Sequence, residues 1–94
     1  MFPQFLTAQI KGRVTDTQNR PLQTVNVYIE NSYTGTTTND EGYYELAVNP
    51  GGTYILVFQY LGYETQKKTV NLQNTPLTVN IQLKEETINL SEVS

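Results

Sequence analysis

The chain has 94 residues, with nine acidic residues against six basic ones and a formal net charge of −3 at pH 7. This balance argues against nucleic acid and anionic membrane surfaces as partners, because both attract an excess of Lys and Arg. The absence of Cys and His removes thiolate nucleophiles, thiolate zinc sites and the usual general base at neutral pH. No apolar run approaches the ~20 residues of a transmembrane helix, so membrane insertion of this domain is not expected.

Seven short segments carry the apolar patterns of β-strands, and turn-forming residues separate them. Most of these segments alternate apolar and polar side chains, as a strand with one buried face does. The predicted strands span 9–15, 24–30, 33–38, 43–48, 53–61, 64–70 and 77–84. Because no segment shows a helical period, the sequence predicts an all-β fold, an antiparallel β-sandwich.

The alternation also predicts which side chains face the core and which strands lie at an edge. The Thr-rich segment 33–38 is predicted at or near a sheet edge. Segment 64–70 is predicted at another edge, where the Lys67–Lys68 pair would protect against aggregation. Gly42 is predicted to take a left-handed conformation in a hairpin loop. The inward positions of the alternating strands are Ile10, Gly12, Val14, Val25, Val27, Ile29, Tyr44, Leu46 and Val48.

The segment 53–63 is the most apolar run in the chain and is predicted to contain the central strand. Strands that are covered on both faces show such continuous runs, whereas half-exposed strands alternate. Leu56 and Phe58 are predicted to be nearly fully buried, as is Ile81 in the last strand.

The opposite face of the central strand carries Ile55, Val57 and Leu61. A two-layer sandwich covers only one face of each sheet. These side chains therefore lie beneath a loop or terminal segment, or they form an exposed patch that docks a partner. If these side chains form an exposed patch, Ile55 and Val57 are candidate partner-binding residues.

The sequence does not predict an enzyme. Its three serines, Ser32, Ser91 and Ser94, have no imidazole partner, and its carboxylates lie in turns, at outward strand positions and near the C-terminus. Paired-carboxylate catalysis requires two acids that converge in one cleft. No catalytic residue and no cofactor is therefore expected.

Asn39, Asp40 and Glu41 in one loop, with Asp16 in another, are the candidate ligands of a calcium ion. The spacing of an EF-hand loop is absent, and Ca²⁺ needs about 6–8 oxygen ligands. Turn formation and solvation explain these residues better, so no metal is expected.

Tyr28, Tyr33 and Tyr43 are predicted to point outward. Exposed tyrosine rings can stack on sugar rings, which is one hypothesis for their role. Such residues more often form cross-strand pairs that stabilise a sheet, and this role is favoured.

Three groups of residues occur in order along the chain and resemble the motifs of a known family. They are GRVTD at 12–16 with PL at 21–22 and VNV at 25–27, TNDEGYYEL at 38–46, and PGGTY at 50–54 with GY at 62–63. Together they cover residues 9–84 and resemble the carboxypeptidase regulatory-like domain. Asn39 and Glu41 stand where the family pattern has acidic Asp residues, which weakens a metal site further. Gly52 adds a glycine that lengthens a turn.

The resemblance implies a seven-stranded antiparallel Greek-key β-sandwich of the transthyretin (prealbumin) type, without catalytic residues of its own. A similar domain precedes the plug of many outer-membrane TonB-dependent transporters that import glycans or peptides. The expected function is thus a non-catalytic N-terminal accessory domain, exported and located on the periplasmic side of the outer membrane. The alternatives are an extracellular carbohydrate-binding or adhesion module of the same fold, and the stabilising domain of an exported zinc carboxypeptidase.

The predicted organisation has three parts. Residues 1–8 are the end of a signal peptide, with cleavage after Ala8, or else a cloning leader or a frayed terminus. Residues 9–86 form the sandwich domain, and residues 87–94 form a tail toward a plug domain.

The tail carries Leu90, Glu92 and Val93 in a segment that resembles the start of the plug region of these transporters. These three residues are candidate partner-binding residues. The resemblance implies the plug and barrel of the same transporter as partners, and a TonB-type energy-coupling protein or a surface lipoprotein in addition. The tail is expected to be mobile in the isolated chain; the alternatives are a short additional strand or a plain linker.

Overall fold

The computed structural model describes residues 8–73 and 75–86, and the described residues contain eight strands and no helix. The strands are β1 (Ala8–Thr15), β2 (Asn26–Ile29), β3 (Gly35–Thr37), β4 (Tyr43–Val48), β5 (Gly52–Gln59), β6 (Gln66–Leu72), β7 (Leu77–Thr78) and β8 (Ile81–Gln82). They form two sheets, one with β1 between β4 and the short strands β7 and β8, the other in the order β3-β2-β5-β6. The predicted all-β sandwich is confirmed.

The antiparallel pairing predicted for the whole sandwich is wrong for the last strands. β7 and β8 run parallel to β1, with Ile10 opposite Leu77 and Val14 opposite Ile81. The other named strand pairs are antiparallel. Alternation in a sequence fixes which side chains face the core, but the crossing from one sheet to the other decides the direction of the strand relative to its neighbour.

The strand predicted at 77–84 is interrupted at Val79 and Asn80, so β7 and β8 are two separate pieces. Val79 and Leu83 are buried, but Leu77 and Ile81 are only partly buried against the core. The prediction that Ile81 is nearly fully buried is therefore wrong. β7 and β8 lie at the edge of their sheet, where a strand has a neighbour on one side only, so Leu77 and Ile81 are less completely covered.

The interruption is built around Gly12 in the middle of β1. A Cβ atom at this position would overlap the carbonyl oxygen of Val79, so only glycine lets the chain pass so close. The carbonyl of Val79 instead accepts a hydrogen bond of 2.6 Å from the hydroxyl of Tyr44. The N–H of Arg13 donates to the side-chain oxygen of Asn80 at 2.9 Å, in place of a backbone partner. The carbonyl of Val79 and the N–H of Arg13 are thus both hydrogen-bonded at the interruption.

The core lies between the two sheets and contains the inward residues predicted from the alternation. Leu56 and Phe58 are 0% exposed, which confirms their predicted burial. The ring of Phe58 packs edge-to-face on the ring of Tyr44, with 5.6 Å between centroids. The buried apolar residues of β1, β2 and β4 are Ala8, Ile10, Val14, Val27, Ile29, Tyr44, Leu46 and Val48.

The edges of the second sheet are also as predicted. β3 and β6 are its outer strands, and β6 carries Lys67 and Lys68. Gly42 has a φ of 82°, which confirms its left-handed conformation.

Candidate interaction site

The outer face of the central strand β5 is one candidate surface, but its middle is covered. Val57 is 1% exposed, although it points away from the core. It lies between Tyr28 of β2 and Lys67 of β6 in the strand register. The ammonium group of Lys67 donates to the carboxylate of Glu30 on the far side of β5, at 2.6 Å. On this face Val57 is therefore flanked by Tyr28 and Lys67, and the ion pair between Lys67 and Glu30 spans β5.

The three outward apolar residues of this region therefore do not form a continuous patch. Val57 is buried by the domain's own chain, Ile55 is half-buried, and Leu61 is 97% exposed. Of the partner-binding candidates Ile55 and Val57, only Ile55 presents part of its side chain to solvent. Leu61 lies beyond the end of β5, in the turn that follows it.

That turn, at residues 60–63, holds the end of the described chain. The N–H of Tyr63 donates to the carbonyl of Tyr60 at 3.0 Å, and Gly62 has a φ of 88°, which closes the turn. The N–H of Glu86 donates to the carbonyl of Gly62 at 2.8 Å, and Tyr63 pairs with Glu85 in an antiparallel bridge. The chain beyond Glu86 therefore starts beside the tip of this turn.

A shallow groove lies at the same place, and we call it the exit groove. Its apolar part consists of the Tyr60 and Tyr63 rings, 5.4 Å apart between centroids, and of the exposed side chain of Leu61. Its lining residues are Asn26, Gln59, Tyr60, Leu61, Gly62, Tyr63 and Glu86. Because Glu86 lines the groove, the chain that follows leaves directly from it.

In the loop proposed as a calcium site, the side-chain oxygen of Asn39 holds a turn. The side-chain oxygen of Asn39 accepts hydrogen bonds of 2.9 Å from the N–H groups of Glu41 and Tyr43. Asp40 and Glu41 are exposed. Within residues 8–73 and 75–86, no three His, Cys, Asp or Glu side chains are grouped so that they could hold a metal ion.

Asp16 also has a structural role, and its burial was not predicted from the sequence. Its carboxylate accepts hydrogen bonds from the N–H groups of Arg20 and Gln18, and from the side chain of Arg20 at 2.8 Å. The backbone N–H of Arg20 is the largest cause of a lowered pKa at Asp16, and it outweighs the opposing effect of desolvation. The carboxylate therefore fixes the turn between β1 and β2.

The outward tyrosines differ in their surroundings. The guanidinium group of Arg13 lies 5.4 Å from the centroid of the Tyr43 ring, and the two residues are opposite each other on β1 and β4. This confirms the predicted cross-strand role for Tyr43. Tyr28 is half-buried on β2, whereas Tyr33 in the β2–β3 turn is fully exposed.

The tail candidates Leu90, Glu92 and Val93 lie outside the described residues, as does most of the predicted leader 1–8. Its last residue, Ala8, is the first residue of β1, where it is buried and pairs with Val48. Among the described residues there is no helix that is both long and apolar enough to cross a bilayer.

A family model of the CarboxypepD_reg-like domain matches residues 10–94. The chain belongs to this family. The resemblance inferred above from the sequence motifs is therefore confirmed.

Two relatives of this CarboxypepD_reg-like domain are TonB-dependent receptors. The receptor SusC of Bacteroides thetaiotaomicron is 35% identical over 92 residues, which is 98% of this chain. The receptor P39 of Formosa agariphila is 30% identical over 86 residues, which is 92% of this chain. The chain spans only 8% of the length of each receptor.

Solved structures of distant sequence share the fold. The Bacillus anthracis TIE protein superposes with a TM-score of 0.69 at 19% identity, over 84% of this chain and 16% of that one. A mutant of the catechol 1,2 dioxygenase of Acinetobacter radioresistens superposes with a TM-score of 0.67 at 14% identity, over 97% of this chain and 56% of that one. At this identity the likeness concerns the fold alone.

Two features of the CarboxypepD_reg-like domain were not predicted from the sequence. Gly12 was placed on the inward face, but nothing signalled that Val79 passes over it. The exit groove was missed because Asn26, residues 59–63 and Glu86 are far apart in the chain. The signal that could have found it was the GY motif at 62–63, directly after the outward apolar residue Leu61.

Proposed function

We propose that this chain is a non-catalytic accessory domain in the N-terminal, periplasmic part of an outer-membrane TonB-dependent transporter that takes up a nutrient such as a glycan or a peptide. The 35% identity to the receptor SusC, over 98% of this chain and 8% of the receptor, carries the proposal. The CarboxypepD_reg-like domain family match over residues 10–94 supports it. Asp16 and Asn39, two of the candidate calcium ligands, also support the non-catalytic role, because their side-chain oxygens accept hydrogen bonds that hold turns.

The proposed role depends on how the chain leaves the domain. The N–H of Glu64 donates to the carbonyl of Lys84, and the N–H of Glu86 donates to the carbonyl of Gly62, both at 2.8 Å. These bonds fix the point from which residues 87–94 lead to the next part of the protein. In the transporter, residues 87–94 connect this domain to the plug.

Leu90, Glu92 and Val93 in that connection are the proposed contact with a TonB-type energy-coupling protein. A strand added to an exposed sheet edge gains affinity from backbone hydrogen bonds, and its alternate side chains set the register. The alternative roles receive less support. Tyr43, one of the tyrosines that could stack on a sugar, has Arg13 over its ring, and the two relatives are receptors rather than peptidases.

Cysteine labelling in cells tests the proposed location. The chain has no Cys, so Tyr33→Cys in the full-length transporter adds one thiol at a fully exposed site of this domain. A membrane-impermeant maleimide is expected to label it only after the outer membrane has been permeabilised. Val27→Cys, at a position that is 0% exposed, is the control for labelling of unfolded protein. Labelling of Tyr33→Cys on intact cells would place the domain outside and overturn the proposal.

A further inference from the structure

The exit groove combines an exposed apolar side chain with a chain end that is fixed next to it. Leu61 is 97% exposed, whereas the other large apolar residues of β5 and its turn are partly or fully buried. A fully exposed leucine beside two aromatic rings has an apolar surface that an apolar partner would cover. The rim of the groove is polar, with Asn26, Gln59 and Glu86.

The position of Glu86 favours one occupant of the groove, the segment that follows Glu86 in the same chain. Glu86 is hydrogen-bonded to Gly62, the neighbour of Leu61, so the last described residue before that segment lies at the groove. Two residues of extended chain span at most about 7 Å, which keeps Ile88 within reach of the turn tip. A segment tethered this closely has a high effective concentration and needs little intrinsic affinity to bind.

The chain beyond Glu86 also has the right composition. Residues 87–94 include Ile88, Leu90 and Val93. The match to the CarboxypepD_reg-like domain family continues to residue 94, so this segment belongs to the family unit that contains the sandwich. Its apolar side chains complement Leu61 and the rings of Tyr60 and Tyr63.

We propose that the exit groove is the docking surface for residues 87–94 of the same chain, with Ile88 or Leu90 packed on Leu61. This departs from the mobile tail expected from the sequence. Docking would hold the segment on the domain until a partner with a stronger contact displaces it. The inference concerns this chain alone, so its failure would leave the proposed transport role untouched.

Nuclear Overhauser contacts in the 94-residue chain test the proposal directly. The methyl groups of Leu61 are expected to show contacts with the side chain of Ile88 or Leu90. The contacts should be independent of protein concentration, because the partner is intramolecular. Absence of these contacts would overturn the proposal. So would contacts that appear only at high concentration, because these would identify a second copy as the occupant.

Thermal unfolding of variants gives an independent test. Leu61→Ser is expected to lower the Tm in the otherwise unchanged chain, but not in the Ile88→Ser/Leu90→Ser background, because the contact is already lost there. Tyr33→Ser, at an equally exposed site on the β2–β3 turn, is the matched control and should have the same small effect in both backgrounds. Equal effects of Leu61→Ser in the two backgrounds would contradict docking.

Discussion

Replacement of Tyr44 by Phe tests the buried hydrogen bond that accommodates the interruption between β7 and β8. Tyr44 is 4% exposed and its hydroxyl donates to the carbonyl of Val79 at 2.6 Å. The ordinary pKa of tyrosine, 10, already keeps the hydroxyl a donor at neutral pH, and burial raises the pKa of Tyr44 further. Phe keeps the ring and its edge-to-face contact with Phe58.

The expected cost follows from what remains after the substitution. The carbonyl of Val79 is directed over Gly12 and would lose its hydrogen-bond donor in a buried position. A buried acceptor without a partner costs about 1–3 kcal/mol. We therefore expect Tyr44→Phe to lower the free energy of unfolding by about 2 kcal/mol, which for a domain of this size corresponds to a Tm lower by roughly 8–16 °C.

Urea unfolding of the 94-residue chain, followed by circular dichroism, measures this difference. Tyr43→Phe is the matched control, because Tyr43 is the neighbouring residue, lies on β4 and is 48% exposed. Loss of the exposed Tyr43 hydroxyl should change the free energy of unfolding by less than ~0.5 kcal/mol. If Tyr44→Phe costs no more than Tyr43→Phe, the hydroxyl of Tyr44 does not support the interrupted strand and the reasoning is wrong.

Three further predictions concern the stability of the domain. Phe58→Ala should lower the free energy of unfolding by about 3–5 kcal/mol in urea titrations, because its ring is 0% exposed; a loss under ~1 kcal/mol would place Phe58 outside the core. Gly12→Ala should cost at least ~1–3 kcal/mol by thermal unfolding, because the added methyl group meets the backbone of Val79, and a neutral effect would refute that close approach. The pKa of Asp16 is lowered in the folded chain, so its ionised carboxylate stabilises the fold at pH values above the ordinary pKa of 3.8. This contribution is lost as the pH falls through the lower folded-state pKa. The urea midpoint of Asp16→Asn should accordingly depend less on pH in this acidic range than that of the unchanged chain, and equal dependence would argue against the effect.

Local alternation was enough to predict most of this fold. In β1 and β4 every second residue, from Ile10 to Val14 and from Tyr44 to Val48, is buried, as the alternation predicted. The edge position of β6 followed from its lysines, because unpaired backbone at an edge needs protection. These features depend on neighbours in the sequence, so a single chain reveals them.

Features that depend on contacts between distant segments were not predictable. The parallel direction of β7 and β8 depends on where the chain crosses between sheets, and alternation contains no information about it. The ion pair that spans β5 on the face of the buried Val57 joins Glu30 and Lys67, which are 37 residues apart. The exit groove was not predicted for the same reason, since the hydrogen bond that brings Glu86 to Gly62, beside Leu61, joins residues far apart in the sequence.

Removal of residues 9–86 from the full-length transporter is the most direct test of the proposed accessory role. The deletion keeps residues 87–94 and whatever follows them, so the connection to the plug is retained. Uptake of the transported nutrient is measured in cells that contain equal amounts of the deleted and the intact protein in the outer membrane. We expect the barrel to remain folded and uptake to fall, because in the proposed role the domain supports transport without forming the pore. Unchanged uptake at equal protein levels would contradict the proposed role.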